Sequence, residues 1–313
     1  MKNMKKVSLL AFVLSMIVNT SNAQFYFRAG AGYAVPQAGQ TMDGVTSLYN
    51  GMIMPLNGSR SSTANTMSYN IKNASFSSGF QGILGLGYMF NDHVGIQLDG
   101  SIGISTNKYT FKDNNTTINY TVGPILSNVS MTQRANTPVI LMPSLVLQTG
   151  GDPWNLYTRF GLALPLISKI DQDLIITNAP GTGALTADDF TFQVKSSFSL
   201  GFSAAAGLQY KLNDRFSVWG EVSLLSMSLN VKESDFNHFT ENGISYQVSQ
   251  VGLPPVVKYS KTATIDSNGT TAPSYTLPFS NVGINIGISI RLSDKKGRRH
   301  SEMITDDKKY FKR

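Results

Sequence analysis

Two properties taken together constrain this chain most. From residue 24 onward it has no apolar run long enough to cross a membrane as a helix, yet apolar residues repeatedly alternate one by one with small or polar ones. A spanning helix needs about 20 consecutive apolar residues, whereas a period of two marks a strand with unlike faces. The alternating stretches are joined unevenly. Residues 91–93, 149–153 and 213–215 are short connections, while 36–75, 107–135, 169–195 and 232–279 are long and polar. Antiparallel strands closed into a barrel across a membrane produce that asymmetry, with tight turns on one side and long loops on the other. Closure also leaves no backbone edge unpaired in hydrocarbon.

Read by alternation, the chain offers eight strands. In residues 25–35, Phe25, Phe27, Ala29, Ala31, Tyr33 and Val35 share one face, opposite Tyr26, Arg28, Gly30 and Gly32. Residues 76–90 set Phe76, Phe80, Leu84, Leu86, Tyr88 and Phe90 against Ser77, Gly79, Gln81, Gly85 and Gly87. Residues 94–104 set Ile96, Leu98 and Ile102 against Gln97, Asp99 and Ser101. Residues 137–148 are apolar on both faces and carry Pro138 and Pro143, so a bend or bulge is expected there. Residues 154–166, 198–212, 216–224 and 281–292 return to clean alternation, with Arg159, Lys211, Glu221 and Arg291 on their polar faces. The fold class is therefore all-β: an eight-stranded antiparallel up-and-down transmembrane β-barrel with long extracellular loops. An even strand number returns both termini to the periplasmic side. Tyr88, Phe90, Trp154, Tyr210 and Phe216 stand where strands meet the short turns, as an interfacial aromatic girdle would.

The ends read differently. Lys2, Lys5 and Lys6 precede a short apolar core at 7–18, and Ser21-Asn22-Ala23 closes on a small residue, so residues 1–23 read as an export signal. Residues 293–313 carry eight Lys/Arg against four Asp/Glu without apolar periodicity, and read as a disordered periplasmic tail. With the three signal lysines, the tail accounts for the whole formal charge of +7, so residues 24–292 are neutral. Nucleic-acid binding would want a basic face on the folded part, and none is expected. The chain has no cysteine, which leaves no disulfide framework and no thiolate metal site. No cofactor is expected.

The run GILGLGYMFNDHVGIQLD at residues 82–99 resembles the glycine-rich hairpins of small outer-membrane β-barrel proteins, of the OmpA/OmpW-like kind. LYTRFGLALP at 156–165 is similar to a segment of such proteins from Bacteroidetes, and LQYKLNDRFSVWGE at 208–221 to another hairpin of the same superfamily. The resemblance covers nearly the whole of residues 24–292 and implies a bacterial outer-membrane location without implying an activity. It also implies a barrel-assembly signal in the last strand at Asn285, Gly287, Ile290 and Leu292, although the family usually ends on an aromatic residue. The implied partners are outer-membrane lipid and lipopolysaccharide, the barrel-assembly machinery and an extracellular ligand of unknown kind, with the barrel itself a monomer.

Six charges are expected to face inward: Arg28, Asp99, Arg159, Lys211, Glu221 and Arg291. They either line a selective pore or fill the lumen. Eight strands leave only enough interior for side chains, which favours a filled lumen with Arg159, Asp99 and Glu221 as its central network. His238 stands among Glu233, Asp235 and Glu241 in the last long connection, the one place where an outer-leaflet lipid enzyme would keep a histidine. A solvated charged loop explains the same residues, and no nucleophile motif accompanies them. The loops are rich in Asn, Ser, Thr, Gly and Tyr, a composition suited to surface contacts. The expected role is structural or surface interaction through these loops, with a narrow passive channel for small or apolar solutes as the alternative.

Overall fold

The computed structural model describes residues 24–37, 45–49, 52–55, 58–63, 66–71, 73–120, 123–178, 187–247, 250, 254–262 and 271–292. The export signal at 1–23 and the tail at 293–313 lie outside the described residues. Eight strands close the barrel: β1 (Gln24–Pro36), β2 (Gly79–Met89), β3 (Val94–Thr106), β4 (Gly123–Gln148), β5 (Trp154–Asn178), β6 (Gly201–Lys211), β7 (Phe216–Ser226) and β8 (Asn281–Arg291). Each pairs antiparallel with the next, and β8 pairs with β1 over Tyr26–Pro36, so no edge remains. The first and last ladders meet at Ala31↔Ile286 and Gly30↔Gly287, deep inside both strands. Among the described residues no helix is long and apolar enough to cross a membrane.

The alternation decides which face points where. Phe25, Phe80, Leu84, Leu86, Ile96, Leu98, Leu156, Phe202, Val222, Ile284 and Ile286 lie exposed on the outside, while the residues between them are buried or half-buried inside. Water would penalise such an apolar belt, whereas a bilayer matches it. At the turn end the belt finishes in aromatic pairs. Phe25 and Tyr88 stand 4.6 Å apart, Tyr88 and Phe90 5.4 Å, and Trp154 and Tyr210 4.5 Å.

Two of the turns share one device. Asn91 Oδ1 accepts the backbone N–H groups of His93 and Val94, and Asn213 Oδ1 accepts those of Arg215 and Phe216. A side-chain acceptor two and three residues back fixes the tight reversal.

Several expectations are corrected. The fourth strand is not confined to 137–148 but runs over Gly123–Gln148, and the segments at 107–135 and 169–195 are mostly β-hairpin rather than loop. Lys108–Tyr120 pairs with the first half of β4, and Ala187–Ser196 with the last third of β5. Ser228–Glu241, in the last long connection, pairs with Ala187–Ser196. Together they raise a β-structured head on one end of the barrel.

Phe76 does not belong to an outward face. It is fully buried, its ring 5.7 Å from that of Tyr109, at the junction of barrel and head. Strand β2 starts only at Gly79, whose positive φ of 120° breaks the alternation before it. Phe198 likewise precedes β6 rather than opening it.

The head inverts the polarity of the barrel. In β4, Ile140, Met142, Ser144 and Val146 point inward, and then Val129, Met131, Gln133 and Ala135 do, so the inward set changes from even to odd numbers. Thr137, with φ of 42°, sits at the change beside Pro138. In β5 the inward set changes from Tyr157, Arg159 and Ala163 to Ile170, Leu174 and Ile176, across register shifts between Pro165 and Lys169. One extra residue in a strand turns every later side chain to the other face. The bend expected in residues 137–148 is thus a bulge at their start, beside Pro138, while Pro143 stays in the ladder opposite Leu98.

Above that level the interior is mainly apolar and rich in aromatics, with Gln133 donating to Gln172 among them. Phe190, Phe192, Phe236 and Phe239 pack in one cluster, with centroids 4.7 to 6.4 Å apart. The outward positions there are mostly polar, Arg134 and Lys169 among them, with Ile175 an exception.

Candidate functional site

The barrel's interior is where the chain concentrates its buried charge. The mid-strand inward positions of four strands supply Arg28 (β1), Asp99 (β3), Arg159 (β5) and Glu221 (β7), with side chains no more than 4 % exposed. Arg159 bridges both acids: Nη1 lies 2.9 Å from Asp99 Oδ2, and Nη2 2.6 Å from Glu221 Oε1. Arg28 Nη2 lies 3.0 Å from Glu221 Oε2, while Arg28 Nε only approaches Asp99 Oδ1, at 4.0 Å. Two cations and two anions cancel, which is the condition for keeping four charges out of water.

Neutral side chains complete the layer. Tyr157 donates to Glu221 Oε2 (2.9 Å), and Asn285 donates to Glu221 Oε1 (3.2 Å) and to Ser223 (2.9 Å). On the other side Tyr26 donates to Gln97 Oε1 and Gln97 donates to Asp99 Oδ2, both at 2.6 Å. Gln81 Nε2 donates to Asn285 Oδ1 at 2.9 Å. The Trp219 indole lies under the Arg28 guanidinium, 3.7 Å from carbon to ring centroid, and donates its N–H to Ile288 O. A cation held over a desolvated indole is attracted by the ring's negative face.

The inward glycines make this packing possible. A Cβ on Gly30 or Gly287 would come within 2.5 Å of the Trp219 ring, and one on Gly85 would collide with Asp99. One on Gly32 would strike the Asn285 amide. Outward glycines are under no such demand, since a Cβ on Gly220 would meet nothing nearer than 3.9 Å.

Little room is left along the axis. On the head side of the network lies a cavity of about 20 Å³ among Gln81, Ser101, Ser203 and Met142, room for about one water. On the turn side lies a vestibule of about 50 Å³.

The six expected inward charges are thus divided. Arg28, Asp99, Arg159 and Glu221 meet, and Lys211 and Arg291 do not join them. Lys211 pairs with Asp152 (2.9 Å) and Asp214 (3.4 Å) at the turn end, and Arg291 lines the vestibule. Both sit one or more layers too near the turns to reach mid-barrel. Reading charges alone missed Tyr26, Gln97, Tyr157 and Trp219, although each falls on the inward parity of its strand. Of the residues matched to an assembly signal, Asn285 is a network member and Gly287 makes room for Trp219, while Ile290 is half-buried and Leu292 is exposed.

His238 is exposed on Ser228–Glu241, opposite Thr191. The acids beside it in sequence are engaged elsewhere. Glu233 and Asp235 both bind Lys195, and Glu241 stands across from Asp188. Asp188 is pushed up to about 6, first by burial and then by Glu241. Among the described residues no group of three or more His, Cys, Asp and Glu is placed to hold a metal ion.

A closed antiparallel barrel with an apolar belt, an aromatic girdle and a charge-neutral polar interior is a membrane-spanning barrel of the outer-membrane class. Residues 7–254 match the family described as the outer membrane protein beta-barrel domain, and the chain belongs to that family. Among solved structures it is similar to the outer membrane protein OprG from Pseudomonas aeruginosa, at 12 % identity over 86 % of this chain and 96 % of that one, with a TM-score of 0.41. It is also similar to Ail, the attachment invasion locus protein of Yersinia pestis, at 9 % identity over 86 % and 97 % of the two chains, with a TM-score of 0.28. No curated protein matches it.

Proposed function

We propose that this protein is a non-conducting barrel of the bacterial outer membrane whose task is to hold its head at the cell surface for contact with other molecules. The barrel is a monomeric anchor in lipid and lipopolysaccharide, inserted by the barrel-assembly machinery with both termini in the periplasm. The observation that carries this reading is the buried Arg28–Asp99–Arg159–Glu221 network, which spans the lumen between two cavities of about 20 and 50 Å³. A passive channel needs a continuous wet path, and opening one here would separate paired buried charges. The ordered head supports the same reading, because recognition surfaces gain from loops carried on a rigid scaffold.

Single-channel recording of the refolded barrel in a planar bilayer tests it, with folding verified by the heat-dependent gel shift. A folded barrel that stays silent is the expected result, and discrete, reproducible conductance steps would overturn the proposal in favour of a channel. Lipid profiling of His238→Ala is expected to match the unaltered protein.

A further inference from the structure

The vestibule at the turn end differs from the network above it in one respect: while Tyr26, Asn91 and Gln148 on its wall are hydrogen-bonded, several of its other polar groups are idle. Arg291 lines it and, among the described residues, has no carboxylate partner. Gln24, Ser217 and Ser289 line it too, each at least nine-tenths buried, and none has a side-chain hydrogen-bond partner among the described residues. The side chain of Gln209, half-buried on the same wall, also has no hydrogen-bond partner among the described residues. Buried polar side chains are ordinarily satisfied. Three largely buried side chains and the half-buried Gln209, all without a protein partner among the described residues, stand beside a guanidinium with no carboxylate and describe a site prepared for an acceptor. Tyr26 also lines it, with its hydroxyl already donated to Gln97. Arg215 and Asp92 complete the rim and already have partners.

We propose that this vestibule binds a carboxylate group that enters from the turn end of the barrel. Every idle group named can donate a hydrogen bond, and Arg291 supplies the positive charge and the planar fork that carboxylates fit. Size agrees: about 50 Å³ accommodates roughly four water-sized atoms, and a carboxylate has three heavy atoms. The carboxylate belongs either to a small free acid or to the C-terminus of a peptide, and the volume of the vestibule admits the group itself in both cases.

The test uses the full chain refolded in detergent, titrated by calorimetry with acetate, with the dipeptide Ala-Ala and with Ala-Ala amide. Acetate and Ala-Ala are expected to bind saturably, and the amide about tenfold more weakly or worse, because it lacks the charge. Arg291→Gln should cost about the same factor, with Arg291→Lys in between. Equal affinity for acetate and Ala-Ala would identify small acids as the source, and a clear preference for Ala-Ala would identify peptide C-termini. No saturable binding, equal binding of acid and amide, or undiminished binding by folded Arg291→Gln would each overturn the proposal. The acid-against-amide comparison on the unaltered protein decides even if that variant fails to fold.

Discussion

Over its first half β5 turns Tyr157 and Arg159 inward and Leu156 and Phe160 outward; over its second half it turns Ile170, Leu174 and Ile176 inward and Lys169, Asp171 and Asp173 outward. The same strand is therefore polar inside and apolar outside in the barrel, then apolar inside and polar outside in the head. What differs is the solvent beyond the outer face. In lipid the apolar residues gain nothing by hiding, so the interior is left to charges that must satisfy one another. In water the hydrophobic effect refills the interior with aliphatic and aromatic side chains. A bulge at Thr137 and the register shifts between Pro165 and Lys169 mark the border.

The contrast can be broken most forcefully at Glu221. Glu221→Ala leaves Arg28 with only its 4.0 Å contact to Asp99 and deprives Arg159 of one of its two acids. It should cost about 3–5 kcal/mol, read as a lower urea midpoint of the refolded barrel. An unchanged midpoint would mean that water already reaches the network.

Phe236→Ala in the head removes a buried ring at a cost of about 3–4 kcal/mol, and its damage should stay local. Protease should cut the hairpins while the heat-dependent gel shift of the barrel persists. Loss of both together would show that the two interiors unfold as one unit.

Glycine sharpens the comparison of inner and outer faces. Gly287→Ala pushes a methyl group against Trp219 and the Ala29 carbonyl, and should cost about 1–3 kcal/mol. Gly220→Ala, one strand away on the lipid side, should change stability by less than about 0.5 kcal/mol.

The smallest effect concerns pH at the head. The Asp188 carboxyl is raised to about 6, so the favourable neutral form is fully present below its unfolded value and is lost as pH rises through about 6. Asp188→Asn should therefore protect the head from protease above pH 6 and change little below about pH 4. Because the side chain is only partly buried, solvent screening holds the gain to about 1 kcal/mol or less. Equal protection at both pH values would assign the effect to something other than the charge.

Much of the barrel was legible because strand alternation is local. Phe25 to Val35 and Val282 to Leu292 declare their two faces without reference to any other segment, and the short turns at Asn91 and Asn213 carry their own acceptors. The hairpins at 107–135 and 169–195 escaped for the converse reason. Their apolar inward residues begin after a change of parity, so alternation carried across the bulge points to the wrong face, and their polar outward residues then read as loop. The burial of Phe76 was hidden in the same way, by the backbone break at Gly79.

The sequence by itself determined strands, their two faces, the uneven connections and the outer-membrane class, since each depends on residues a few positions apart. The tertiary structure alone decided that Arg28 reaches Glu221, 193 residues away, that Lys211 and Arg291 stop short of them, and that Trp219 lies over Gly30 and Gly287. Barrel closure sets those distances, because the shear between paired strands fixes which inward residues share a layer, and no local pattern records it.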